Sequence, residues 1–359
     1  MTTEFLFPSN IFLYSLLAIV SSLAISPISI YLARRISLID RPGKFAHKIH
    51  LTPTPLAGGT TLIFCLVLLS LLFGLWHDKF TQVLVLAAGI IYLFGLLDDA
   101  RGLSAIPKLT GQILASVVLI FSNFSVHFIG SINLPFLSPA TVVFLDVALT
   151  LFWLIGVTNA MNMIDSMDGI AVGVSGIAFL FFTLVTSLSG QVYLMEISII
   201  LLGISVGIYF YNVTPARMFL GDSGSQTLGF IVAAIAMEYA PVGLSPISSW
   251  FVPILLVGMP IFDTSLVVYS RLRNHLPIYQ ANLDHTYHRL VNLGIDERRA
   301  VLMIHVVSTI LSLVAFVTYF LQPAVANIIF GMIIENDNLI CSRKDVVILL
   351  FGVSAKSKK

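Results

Sequence analysis

Asp98 and Asp99, the series Asn159, Asn162, Asp165 and Asp168, and Asp222 are the residues of this chain best suited to chemistry. They stand out because only 10% of the residues are charged. Each group lies in or beside a short polar gap between long apolar runs, and carboxylates near a bilayer are costly enough to mark function. Asp98-Asp99 ends an apolar run, where the helix dipole disfavours negative charge, so the pair needs a counter-charge such as a metal ion or Lys108. Adjacent carboxylates also split their pKa values, which leaves one better placed to accept a proton. Asn159, Asn162, Asp165 and Asp168 recur every three residues and would share one face of a helical or loosely wound segment. Such hard oxygen donors suit Mg²⁺, with Mn²⁺ as the substitute, because Mg²⁺ keeps several waters and binds substrate phosphates.

Asp222-Ser223 precedes another apolar run and reads as a helix N-cap region, where free backbone N–H groups face outward. The same geometry suits a phosphate, with Asp222 holding a bridging metal. His285, His288 and Arg289 could grip a diphosphate through charge-assisted hydrogen bonds. Zinc is disfavoured by the lack of thiolates and of an HExxH pattern. Lys48 belongs to a basic gap, Arg41 to His50, that reads as a phosphate-binding or lipid-anchoring loop leading to Gly58-Gly59. Asp263, inside an apolar run, reads as structural or as a partner of a basic residue.

The elements that must carry these residues are membrane spans. Hydrophobic residues make up 57% of the chain and mean hydropathy is +0.97. Runs near the ~20 residues needed to cross a bilayer recur along the whole sequence and read as helices, because lipid offers backbone groups no partner. Spans are expected at 11–33, 58–76, 81–97, 109–128, 141–158, 170–188, 192–210, 224–240, 249–270 and 299–321. An eleventh remains open, its candidates 323–334 and 346–355 being short and separated by charge. The expected fold is therefore all-α, one polytopic integral membrane domain of ten or eleven transmembrane helices. The first run lacks a basic leader and cleavage site, so it is expected to be retained as a span.

Two spans separate each consecutive pair of the gaps 34–57, 98–108, 159–169, 211–223 and 271–298, which puts all five on one face. Those gaps hold most of the Lys and Arg, the opposite gaps hold only Lys79, and the rest follow residue 340. The positive-inside rule makes the basic face cytoplasmic. A net charge of +1 gives no support for nucleic-acid binding. Cys65 and Cys341 supply neither a disulfide framework nor a metal cluster.

Leu97-Asp98-Asp99, the NAxNxxDxxDG stretch at 159–169, FLGDSGS at 219–225 and the histidine motif at 285–288 occur in the order of one family. Between about Asp40 and Gly294 the chain resembles the polyprenyl-phosphate N-acetylhexosamine-1-phosphate transferases, and is most similar to the GlcNAc-1-phosphate branch. Members transfer a sugar phosphate from a UDP-sugar to a membrane polyprenyl phosphate and release UMP. The resemblance implies Asp222 and Asn162 as magnesium ligands, and Asp98 as the group that deprotonates or positions the acceptor phosphate. It implies active-site roles for Asp99, Asp165, Asp168 and His288, and substrate contacts from Lys48, Asn159, His285 and Arg289. The implied partners are UDP-N-acetylhexosamine, undecaprenyl phosphate, the bilayer of the inner membrane and a second copy of the chain. Two positions depart from the family: Tyr287 stands where many members carry histidine, and Ser166 replaces a common glycine.

Three other readings compete with this one. A phospho-MurNAc-pentapeptide transferase of peptidoglycan synthesis shares the motifs. A nucleotide-sugar transporter would need polar residues open to both faces, and internal repeats that this chain lacks. A lipid-binding scaffold would have no need of Asn159, Asn162, Asp165 and Asp168 in register.

Overall fold

The computed structural model of the chain describes residues 10–41, 52–132, 135–241, 250–275 and 285–342. The helices in these segments are α1 Ile11–Arg35, α2 Gly58–Leu72, α3 Lys79–Arg101, α4 Ala105–Phe121, α5 Phe128–Ile132, α6 Pro139–Ile164 and α7 Ile170–Leu188. They continue with α8 Val192–Asn212, α9 Gly221–Glu238, α10 Phe251–Leu256, α11 Gly258–Arg273, α12 Thr286–Asn292, α13 Glu297–Thr318 and α14 Pro323–Ser342. Six of them (α1, α3, α6, α7, α8 and α13) are long and apolar enough to cross a membrane, and Gly58–Leu72, Ala105–Phe121 and Pro323–Ile333 are shorter apolar helices. The chain is an all-α multi-pass membrane protein apart from one small ribbon. That ribbon, absent from the sequence expectation, pairs β1 (Ile39–Asp40) antiparallel with β2 (Thr54–Pro55).

Helix ends follow local chemistry. α3 starts at Asp78, whose carboxylate accepts the Thr81 N–H at 2.8 Å, and stops at Gly102 in the left-handed region at φ 69°. α6 starts with Ser138 as cap and Pro139 in the first turn. Three boundaries differ from the sequence reading. α3 runs through Asp98 and Asp99, α6 runs through Asn159 and Asn162, and α9 begins at Gly221, so these polar residues lie in helical turns and not in gaps. The expected span 249–270 is broken at Val257. Pro260 has no N–H to return to the Leu256 carbonyl, and the interruption sits where that bond is lost. Of the two tail candidates, 323–334 falls within the continuous helix α14, and 346–355 lies outside the described residues.

The centre of the bundle is α9. Every residue from Ser223 to Ala236 is buried, and α2, α3, α6, α7, α8 and α10 all pack on it. Its first turns are nonetheless polar, Gly-Asp-Ser-Gly-Ser-Gln. Lipid offers no hydrophobic drive to join helices, so association relies on close packing and small residues. Two glycines show this. A Cβ on Gly95 of α3 would come within 2.5 Å of the Ser223 Cα, and one on Gly59 of α2 within 2.7 Å of the Gly224 N. Backbone therefore lies on backbone where the polar end of α9 emerges.

Candidate active site

The close approach of α3 to α9 gives the two adjacent aspartates different partners. Asp99 caps α9 from a neighbouring helix. Its Oδ1 accepts the Asp222 N–H at 2.7 Å, and its Oδ2 accepts the Ser223 N–H at 3.1 Å and the Ser223 hydroxyl at 2.6 Å. These are N–H groups that a helix start leaves without intrahelical partners. The α9 start has no side-chain cap of its own, so the N-cap that the sequence suggested for Asp222 comes from Asp99 instead.

Asp98 turns the other way. Its Oδ1 accepts the Leu103 N–H at 2.5 Å, and its Oδ2 pairs with the Lys108 ammonium. Lys108, in the first turn of α4, lies 3.2 Å from Asp222 Oδ2 as well. Of the two counter-charges the sequence allowed, the lysine is present and bridges α3 to α9. Asp222 Oδ1 accepts the Asn162 amide at 2.6 Å, and the same amide reaches the Ser225 hydroxyl at 2.8 Å. Asp98, Lys108, Asp222 and Asn162 thus form one continuous constellation across four helices.

Asn159 lies one turn before Asn162 and is engaged differently. It exchanges hydrogen bonds with Gln112, Nδ2 to Oε1 at 2.8 Å and back at 3.2 Å. Gln112 also donates to Gln226 Oε1 at 3.0 Å. Both glutamines are buried. The helical register then stops. Asp165 is the C-terminal cap position of α6 and Asp168 lies in the turn before Gly169, so the four polar residues do not share a single helical face. Among the described residues Asp165 has no hydrogen-bond or ion-pair partner. Burial pushes its carboxyl well above the usual range, and the charges of Asp222, Asp168 and Asp99 push it further. Asp168 accepts the Thr214 hydroxyl at 3.3 Å.

The histidine loop is anchored by Asp263. That buried α11 carboxylate takes His285 Nδ1 at 2.8 Å and the Thr286 N–H at 2.7 Å, so it orients the ring and caps α12 together. Tyr287, the departure from the histidine pattern, is 2% exposed and faces the core, with its ring edge-on to His288 at 5.2 Å. Burial raises the Tyr287 hydroxyl pKa, with Glu297, Asp168 and Asp296 adding to it. Asp168 is thus one of three acidic groups whose charge is felt at α12, which also carries the half-buried His288 and Arg289. Lys48 lies outside the described residues.

Among the described residues, no three carboxylates, imidazoles or thiolates converge closely enough to hold a metal by themselves. The donors on offer are hard oxygens: Asp222, the Asn162 carboxamide and the unpartnered Asp165. Such a set fits a cation that completes its shell with water and substrate phosphate.

The profile of glycosyl transferase family 4 matches residues 81–240, the segment that carries Asp98, Lys108, Asn162 and Asp222. The chain is 31% identical over 309 residues to the probable undecaprenyl-phosphate N-acetylglucosaminyl 1-phosphate transferase of Bacillus subtilis (strain 168), covering 85% of this chain and 83% of that protein. The chain belongs to this family of polyprenyl-phosphate hexosamine-1-phosphate transferases. It is 30% identical over 348 residues to the decaprenyl-phosphate N-acetylglucosaminephosphotransferase of Mycobacterium tuberculosis (strain CDC 1551 / Oshkosh), covering 88% and 84% of the two chains. A phospho-N-acetylmuramoyl-pentapeptide-transferase of Staphylococcus aureus (strain MSSA476) is 32% identical over a shorter 244 residues, 63% of this chain and 76% of that one.

Three site residues of this family member escaped the sequence reading. Gln112 and Gln226 are lone amides in apolar runs, with no spacing signal of their own. Asn212 joins two loops of the site, accepting the Gly169 N–H at 3.1 Å and donating to the Met218 carbonyl at 3.0 Å. Its place at the end of an apolar run, before the Thr-Pro turn, was the available hint.

Proposed function

We propose that the chain transfers GlcNAc-1-phosphate from UDP-GlcNAc to undecaprenyl phosphate on the cytoplasmic side of the plasma membrane, with release of UMP. The observation that carries this reading is the Asp98–Lys108–Asp222–Asn162 constellation. It sets a cation and a group of oxygen donors at the exposed end of an otherwise apolar bundle. Two anionic substrates must meet there despite their repulsion, so catalysis is chiefly positioning and electrostatics.

Asp222 and Asn162 would hold Mg²⁺, with Asp165 contributing, and a cation there would supply neutralising charge for the sugar-nucleotide diphosphate and for the departing UMP. Lys108 holds the acceptor phosphate beside Asp98, which positions it or takes its proton. An acceptor phosphate oxygen forms a bond to the sugar-linked phosphorus, and the bond from that phosphorus to the bridging oxygen breaks as UMP leaves. Asp99 keeps the first turn of α9 in place beneath these groups. Asp168, His285, His288 and Arg289 form the nucleotide and sugar-phosphate side.

The test is release of labelled UMP from UDP-GlcNAc by the purified protein with undecaprenyl phosphate and Mg²⁺. Release is expected with UDP-GlcNAc and not with UDP-MurNAc-pentapeptide. The reverse preference moves the chain to the phospho-MurNAc-pentapeptide branch, and no release with any UDP-N-acetylhexosamine overturns the reading.

A further inference from the structure

A cavity of about 560 Å³ opens away from the carboxylates, between the end of α1, the β2 strand and the loop after α8. None of Asp98, Lys108, Asn162, Asp165 or Asp222 lines it. Pro27, Ile30, Tyr31 and Arg34 follow the spacing of one helical face, so the last turns of α1 form one wall. Pro53 and Pro55 line the ribbon side, and Tyr211 with Arg217 closes the third. The lining is thus mixed: Pro27, Ile30, Pro53, Pro55 and Ala216 are apolar, Thr52 and Thr54 are polar, and two arginines but no carboxylate take part. Among the described residues neither Arg34 nor Arg217 has an ion-pair partner. Beside the cavity α1 exposes Ile28 and Leu32, apolar side chains that face lipid.

A half-apolar lining, two arginines with hydroxyl groups beside them and an adjoining lipid-facing surface match one ligand chemistry, a phosphate on an acyl chain. Arginine is the residue best shaped to grip phosphate oxygens in pairs. We infer that this cavity binds the phosphate headgroup of an anionic glycerophospholipid, at a site separate from both reacting substrates. The loop it touches leads directly into the site. The Arg217 N–H donates to the Tyr211 carbonyl at 2.8 Å, and the Phe219 N–H donates to the Pro55 carbonyl at 2.9 Å. The Phe219 carbonyl in turn accepts the Ala57 and Gly58 N–H groups at 3.1 and 3.0 Å. A headgroup held by Arg34 and Arg217 therefore joins α1 to the segment that ends in Gly221-Asp222 and stabilises it by binding only the folded form.

The experiment reads binding through thermal unfolding in detergent, so its outcome is separate from that of the transferase reading. Short-chain phosphatidylglycerol, short-chain phosphatidylcholine and inorganic phosphate are added in turn to the full chain and to the double variant Arg34→Gln/Arg217→Gln. Phosphatidylglycerol is expected to raise the unfolding midpoint of the unaltered chain well beyond phosphatidylcholine. The double variant is expected to lose that difference while unfolding at its usual temperature without lipid. Equal shifts for the two lipids, or an undiminished difference in the variant, overturn the site. A shift by inorganic phosphate equal to that by phosphatidylglycerol overturns the lipid as its source. Should the double variant fold poorly, native mass spectrometry of the unaltered chain decides. Phosphatidylglycerol adducts that outlast phosphatidylcholine adducts support the site, and equal retention removes it.

Discussion

At the residue scale, Asp222 is where the constellation is most exposed to a single change. Asp222→Asn keeps the shape but removes the charge that Lys108 and Asn162 both address. UMP release is expected to fall to background, and retained turnover would remove Asp222 from the metal site. Asp165 predicts a pH effect whose sign follows from its raised pKa. In the proposed metal site the proton and the cation would compete for this carboxylate, so Mg²⁺ affinity should rise with pH and binding should release protons. Calorimetry in buffers of different ionisation enthalpy would detect the release, and Asp165→Asn should diminish it. Gln112→Leu takes the donor from the half-buried Asn159 Oδ1 and the buried Gln226 Oε1, at a cost of about 1–3 kcal/mol for each group left unsatisfied, while Asn159 Nδ2 keeps the Ile155 carbonyl. The unfolding midpoint should fall and the Mg²⁺ concentration for half-maximal rate should rise, because Gln112 ties together the helices one turn from Asn162 and Asp222. The aspartates were legible because a charge in an oily chain is conspicuous. Gln112 was not, since its partners are 47 and 114 positions away and nothing in α4 announces them.

At the element scale, the site depends on how closely helices meet. Gly95→Ala inserts a methyl where the Ser223 Cα stands, forcing α3 from α9 and pulling Asp99 off the Asp222 and Ser223 N–H groups. Gly89→Ala on the same helix meets nothing within 4 Å and should stabilise α3 by roughly 0.5–1 kcal/mol through propensity alone. Activity per folded molecule is therefore expected to collapse in the first variant and hold in the second. Equal behaviour would show that the close contact does not position the site. The helices were readable from hydropathy, whereas the break at Val257 went unread in the expected span 249–270 although Pro260 signals it. The central position of α9 was not, because burial on every side depends on which neighbours surround a helix. The sequence pattern also placed helix ends too early, since carboxylates and amides in the last turns of α3 and α6 read as loop until their partners on α4 and α9 are known.

At the scale of the whole molecule, the asymmetry of basic residues supports the proposed orientation of the two faces. With Cys65 and Cys341 replaced, a cysteine at Arg101 should react with an impermeant maleimide only after the cells are opened, and one at Lys79 should react in intact cells. The opposite pattern would invert the proposed orientation. The position of α9 also bears on how the protein is made. Its polar first turns keep it out of the set of helices apolar enough to cross a membrane unaided. Yet α2, α3, α6, α7 and α8, which pack on it, precede it in the chain and leave the ribosome before it, and only α10 follows. Most of its protein neighbours are therefore available first, which would let α9 insert against protein in place of lipid alone.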